Sequence, residues 1–244
     1  METVIIGAGA IGRWFAETVD IPATFVDVDA STARDAAAAV DGEVADPGTD
    51  RSFELVVIAV PMSVVTETIE TYAPNATEAI VDLSGVMAEP VATMADVAPD
   101  RERASLHPLF APVNAPGRIA VVTDHPGPIV ETVSERLTAA GNTLFETTPD
   151  THDQAMETIQ ARAHAAILAF ALAAEEVPEP FGTPIYDELR ELVADVTGGT
   201  PRVYADIQST FSGAEDVASA AERIAEADQE TFERLYREAG QLVR

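Results

Sequence analysis

Along the first 147 residues, short apolar runs alternate with amphipathic stretches. Val4-Ile5-Ile6, Ala23-Thr24-Phe25-Val26, Leu55 to Val60, Ala79 to Leu83, Ala104-Ser105-Leu106, Ile119 to Val122 and Thr143-Leu144-Phe145 read as strands separated by helices. The run Leu55-Val56-Val57-Ile58-Ala59-Val60 has no polar position, as a central parallel strand covered on both faces requires. This alternation predicts an α/β domain, a Rossmann-like doubly wound sheet over residues 1–147. After Phe145 the two-residue period stops. Residues 148–244 read as a smaller, all-helical domain. Thr148 is placed to cap a long helix beginning at Pro149 and Asp150 and running to about Val177, ahead of Pro178 and Pro180. Further helices are expected over 187–196, 202–210 and 214–240. Fewer than a hundred helical residues make a thin core, so pairing with a second copy through the helical domain is expected.

The first strand runs into Gly7-Ala8-Gly9-Ala10-Ile11-Gly12 and then a helix. The first glycine suits a tight turn, the second lets backbone approach a pyrophosphate, and the third lets helix and strand pack closely. Amides at the helix start, from Ala10 and Ile11, suit the phosphates. The second strand ends at Asp27, where an acid accepts hydrogen bonds from ribose hydroxyls and repels a 2′-phosphate. NAD is therefore the expected cofactor. Arg34, nearby, keeps NADP open as an alternative. Val60 and Pro61, at the end of the central strand, belong where the cofactor crevice opens.

The 244 residues carry 42 acidic and 14 basic side chains, a net charge of −28; every basic residue is arginine, and there is no cysteine. Such a surface repels nucleic acid and anionic lipid, leaving small molecules or a second copy of the chain as partners. No apolar run is long enough to span a membrane, and no signal peptide is evident, so a cytoplasmic enzyme is expected. Dispersed carboxylates without lysine resemble proteins of halophilic organisms. Molar salt shortens the screening length to about 3 Å and makes the self-repulsion tolerable.

Of four histidines, His107 lies just past a strand end and is fixed by Pro108. With an ordinary pKa near 6.5 it suits a base that takes a proton as hydride leaves. Asp153, Gln160 and His164, spaced by seven and four, fall on one stripe of a regular helix. His152 lies on another face and reads as a helix-start residue, and His125 as a loop residue. No histidine pair has liganding spacing, so no metal is expected, and no Gly-x-Ser-x-Gly elbow occurs.

Taken together, the Gly7–Gly12 loop, Ile58-Ala59-Val60-Pro61, Val81-Asp82-Leu83, Leu106-His107-Pro108-Leu109-Phe110, His152-Asp153-Gln154-Ala155-Met156, Ile159-Gln160, His164, Pro184-Ile185-Tyr186 and Tyr204-Ala205-Asp206-Ile207 resemble the prephenate and arogenate dehydrogenases of tyrosine biosynthesis. The resemblance implies a Rossmann-like domain followed by a helical dimerisation domain, NAD(P)-dependent oxidative decarboxylation, His107 as base for the substrate hydroxyl, and His164 with Gln160 in the substrate pocket. Three positions depart from it. Gly85-Val86-Met87 replaces the usual Ser-Val-Lys, with Ser84 one place early; Asp187 and Asp195 stand where arginines normally take substrate carboxylates; and Ala111 replaces a glycine. Ser84, Arg162, Arg190 or an arginine from a second copy of the chain are the groups available to bind a dianionic substrate in their place. Two alternatives stand beside this reading: an NAD(P)-dependent oxidoreductase for a less anionic substrate, and a catalytically silent dinucleotide-binding dimer.

The charge distribution predicts that the protein melts at a lower temperature in dilute buffer than in molar potassium chloride. Equal melting temperatures by differential scanning calorimetry would contradict this.

Overall fold

The computed structural model describes residues 1–241. Two compact units divide the chain, Met1–Ala155 and a second from Met156 onward. The first is built on one eight-stranded sheet: β1 (Thr3–Ile6), β2 (Ala23–Val26), β3 (Glu43–Val44), β4 (Phe53–Ile58), β5 (Ala76–Asp82), β6 (Glu102–Pro108), β7 (Arg118–His125) and β8 (Thr143–Glu146). Their spatial order is β3-β2-β1-β4-β5-β6-β7-β8. All neighbouring pairs are parallel except β6 and β7, which are antiparallel. The doubly wound fold expected from the alternating pattern is therefore present. The two-residue β3 and the reversal at β7 carry no signature in the apolar pattern.

Helices α1 (Ala10–Val19), α2 (Ala30–Ala39), α3 (Val65–Tyr72), α4 (Ala88–Val97) and α5 (Pro128–Ala139) cover the sheet. Successive strand residues point to opposite faces, so one sheet supports two cores. Ile5, Phe25, Leu55, Val57, Val81 and Leu106 share one with Phe15 of α1. Val4, Ile6, Val56, Ile58 and Ile80 share the other with Ile69 of α3 and Met94 of α4. The strand order reverses at β1, whose neighbours are β2 and β4. This is the switch point at which an open α/β sheet leaves a crevice beyond its strand ends.

Thr148 caps α6 (Pro149–Met156) through the Thr151 amide at 3.2 Å. The long helix expected to Val177 forms as a continuous helical run from Pro149 that ends at Ala173 and is not regular throughout. A π-helical segment, Glu157–Arg162, follows α6, and α7 (Ala163–Ala173) stops before Glu175 and Glu176. Carboxylates are unfavourable at a helix C-terminus, which accounts for the earlier stop. Then come α8 (Pro184–Thr197), α9 (Pro201–Thr210), α10 (Gly213–Ala225) and α11 (Gln229–Ala239). The last two were expected as one helix. Asp228 divides them by accepting the Thr231 amide at 2.9 Å, an N-cap that begins a new helix. Among the described residues, no helix is long and apolar enough to cross a membrane.

Candidate active site

The glycine loop lies at the ends of β1 and β4. Gly7 has φ +101° and donates its amide to the Val26 carbonyl at 2.8 Å. A side chain at Gly7 would strike the Ala59 carbonyl, and one at Gly12 would strike the Gly7 carbonyl. Next to Gly9 a side chain would meet nothing within 4 Å. Two glycines thus lock the turn against β4 and α1, while the middle one leaves open space where a ligand can approach the backbone. No side chain caps α1 at Gly9, so the amides of Ala10, Ile11 and Gly12 are the donors that a helix start leaves for an anion. Asp27, just past β2, accepts the Ala8 amide at 2.8 Å and the Asp29 amide at 2.9 Å. Val60 lies beside Gly7, and Pro61 is exposed at the start of the next turn. These residues fit a dinucleotide's pyrophosphate and ribose.

His107 sits near the end of β6, only 8% exposed. Trp14 of α1 packs edge-on against Phe110 at 5.3 Å between ring centroids, which joins the segment after His107 to the helix after the glycine loop. Nδ1 of His107 is 2.9 Å from Nε2 of His152, and Nδ1 of His152 is 2.8 Å from Asp153. Asp153 also accepts the amides of Met87 at 2.9 Å and Ala88 at 3.0 Å, at the start of α4. Burial works to raise the Asp153 pKa, but the bonds from His152 and the two amides outweigh it and hold the carboxylate below its ordinary range.

This chain of bonds sets the tautomers. An ionised Asp153 only accepts, so Nδ1 of His152 donates to it, and an uncharged His152 presents its Nε2 as an acceptor. His107 must then donate from Nδ1, which leaves the lone pair on its Nε2. That nitrogen is 3.5 Å from the place a Cβ on Gly85 would occupy. Burial, reinforced by the neighbouring His152 ring and opposed by Asp153, lowers the His107 pKa to about 3. The near-neutral titration expected from the sequence is therefore corrected: His107 is uncharged throughout the neutral range.

No protein-family model matches the chain. Over 265 aligned residues, 96% of this chain and 88% of the relative, it is 32% identical to the 4-amino-4-deoxyprephenate dehydrogenase of Streptomyces pristinaespiralis. The chain belongs to the prephenate and arogenate dehydrogenase family. A probable arogenate/prephenate dehydrogenase of Methanocaldococcus jannaschii is 24% identical over 84% of this chain and 51% of its own length. Among solved structures, a prephenate dehydrogenase from Aquifex aeolicus in complex with hydroxyphenyl propionate and NAD+ shares the fold at TM-score 0.71 and 15% identity, covering 100% of this chain and 98% of that one. Synechocystis arogenate dehydrogenase does so at TM-score 0.61 and 17% identity, covering 99% and 98%.

Set beside the pattern of that dehydrogenase family, the loop after β5 is rebuilt. Asp82 is fully buried and pairs with the hydroxyls of Ser105 at 2.8 Å and Ser84 at 2.9 Å. Burial dominates these bonds and raises the Asp82 pKa to about 7. Ser84 also lies 2.8 Å from the Val86 carbonyl. The Ser84 hydroxyl thus lies between the Asp82 carboxyl and the Val86 carbonyl and is consumed inside the loop. Gly85 stands where the family serine would adjoin His107.

In the second unit, the half-buried His164 packs edge-on against Tyr204 at 4.8 Å, and burial lowers its pKa. Gln160 belongs to the π-helical segment, whose wider turns break the regular stripe expected to run from Asp153 to His164. Arg162 is engaged, donating to Asp216 at 2.6 and 2.8 Å and to Thr158 at 2.6 Å. Arg190 is exposed, its guanidinium 6.0 Å from the Tyr186 ring centroid. His152 was expected merely to begin a helix and is instead 3% exposed and bonded to His107. The adjacent His-Asp pair at a helix start is the signal that distinguishes it.

The two buried titrations oppose each other. His107 is neutral in the fold down to about pH 3 against an ordinary 6.5, so its share of stability is complete above 6.5 and is lost as pH falls. Asp82 is protonated in the fold up to about pH 7 against an ordinary 3.8, so its share is complete in acid and is lost as pH rises. Relative to the wild type, Asp82→Asn should gain stability as pH rises from 4 to 6.5, and His107→Gln should lose it. Parallel pH curves for the three proteins in denaturant unfolding would contradict both assignments.

Proposed function

We propose that the chain oxidises and decarboxylates a cyclohexadiene of the prephenate or arogenate type, in tyrosine biosynthesis, with NAD as the preferred dinucleotide. The supporting observation is the chain from Asp153 through His152 to His107, which leaves an uncharged imidazole with a free lone pair on Nε2. Gly7, Gly9 and Gly12 with the amides of Ala10 and Ile11 would hold the pyrophosphate, Asp27 the ribose, and Val60 and Pro61 the wall of the crevice. Bound there, the dinucleotide supplies the acceptor for the hydride of the ring carbon.

A weak base suffices at His107. A hydroxyl on a carbon that is being oxidised becomes strongly acidic, so a group with a low pKa still takes its proton. Nε2 of His107 holds that proton while the ring carboxylate departs as carbon dioxide and its bonding pair enters the ring. The proton then returns to the phenolate oxygen, so atoms and charge balance. Through this transfer, the positive charge arising on His107 is favoured by the ionised Asp153, against burial and the neighbouring His152 ring. His164 and Gln160 are assigned to substrate binding.

The second unit is also proposed to pair with a second copy of the chain. Its most apolar helix, α7, contains no fully buried residue. Leu172 is 88% exposed and Tyr236 is 74% exposed, with Phe181 and Ile185 also open. Large apolar side chains left this open mark an association surface.

In molar potassium chloride, the protein with prephenate or arogenate should generate NADH from NAD, and His107→Ala should lower kcat by about 10²–10⁴-fold. NADH formation undiminished in His107→Ala would overturn the role of the base. Light scattering in the same salt should give the mass of two chains, and a single-chain mass would remove the dimer.

A further inference from the structure

Among the described residues of the first unit, one side-chain polar atom is buried without a hydrogen-bond partner: Nε of Arg13. The side chain is partly buried, and in a chain with 42 acidic residues its guanidinium joins no ion pair among the described residues. Its two terminal nitrogens are not shut off in the same way and reach solvent. The other arginines of the unit differ. Arg101, Arg103 and Arg136 spend their guanidinium groups on backbone carbonyls, Arg51 bonds Glu43, and Arg34 and Arg118 are exposed. A cation packed at one nitrogen, open at the other two and matched by no anion of the protein is a fork shaped for an anion from outside.

Its place in the fold says which anion. Arg13 closes the first turn of α1, with its amide bonded to the Gly9 carbonyl at 3.0 Å. Helical side chains tilt towards the N-terminus, so its stem lies over the turn of Gly9 and Ala10. Both of those residues are exposed, and a side chain on Gly9 would meet nothing within 4 Å. Four and seven residues after Arg13, Glu17 and Asp20 share its face of α1, and they border a cleft with Val40 and Asp41 beyond the end of α2. That face is therefore turned towards α2. Because β1 and β2 are parallel, α1 and α2 run in the same direction, and the Arg13 end of the face lies near the start of α2. This is the flank of the glycine turn that adjoins the segment after Asp27.

We propose that Arg13 is a ligand of the dinucleotide's pyrophosphate, its terminal nitrogens taking phosphate oxygens that the amides of Ala10 and Ile11 leave free. The inference rests on the reading of the glycine loop as the dinucleotide site and adds a residue outside the glycine pattern to it. A helix start supplies only about half an elementary charge, whereas the protein as a whole carries −28. In molar salt, with a screening length of about 3 Å, attraction at a distance is lost and a cation acts on a phosphate only in direct contact. Arg13 provides that contact.

Titration calorimetry in molar potassium chloride, with NAD, NADP and adenosine as ligands, tests the assignment on the unaltered protein and two variants. Arg13→Met keeps the apolar stem and should weaken NAD and NADP by the same factor, about 10–100-fold, while leaving adenosine, which has no phosphate, unchanged. Arg13→Lys keeps the charge without the fork and should weaken both dinucleotides by a smaller factor. Undiminished NAD affinity in Arg13→Met would overturn the proposal. So would a loss confined to NADP, which would move the contact to the 2′-phosphate, or an equal loss for adenosine, which would mark damage to the turn. Failure of the unaltered protein to bind either dinucleotide would instead overturn the reading of the glycine loop.

Discussion

The carboxylate of Asp153, held by two amides at the start of α4, governs the geometry of the first unit's chemistry. Because it only accepts, it fixes a hydrogen on Nδ1 of His152; with that ring uncharged, one hydrogen lies on the inner nitrogen of His107 and none on the outer one. The loop that provides those amides, residues 83–88, also brings Gly85 beside His107 and binds the buried Asp82 through Ser84. Removing the carboxylate would leave two imidazoles free to exchange tautomers, and the outer nitrogen would no longer be reliably basic. The logic matches that of the serine-hydrolase triad, in which a buried acid orients the base rather than taking its proton. Here a second imidazole stands between acid and base.

Features that depend on local chemistry were legible in the sequence. Gly7 and Gly12 are required because a side chain there would strike backbone, and the spacing of the glycines announces the turn. Strand β4 shows in its unbroken apolar run because a central strand has no solvent-facing side. His152 was obscured for the opposite reason. Its partner is 45 residues away, and helical phase along one segment says nothing about which strand end that segment meets. The π-helical turn and the break at Asp228 were missed in a similar way. Both replace a regular repeat with a local hydrogen-bond choice that periodicity does not register. The pKa of His107 could not be read because residue type sets only the starting value, and burial sets the rest.

The second unit carries a different balance of forces. It has few buried apolar side chains and several buried polar atoms without a partner, whereas the sheet unit has two complete cores. A unit so poor in internal contacts gains stability from what it binds, since any ligand or copy favouring the folded state adds to that state's weight. Its acidic character is consistent with this, because the positions where arginines would bring cationic binding carry aspartate instead.

Asp27 serves two purposes at once. Its carboxylate receives the Ala8 amide within the glycine loop, so the group proposed to discriminate between nicotinamide dinucleotides is also a strut of the turn proposed to seat them. Exchanging it for an apolar or cationic residue to welcome a 2′-phosphate would strip the loop of an acceptor. Redirecting the enzyme to the phosphorylated coenzyme therefore calls for a residue that still receives that amide, such as asparagine or serine, with the compensating cation supplied from α2. Coenzyme choice and loop order are in this way a single design variable.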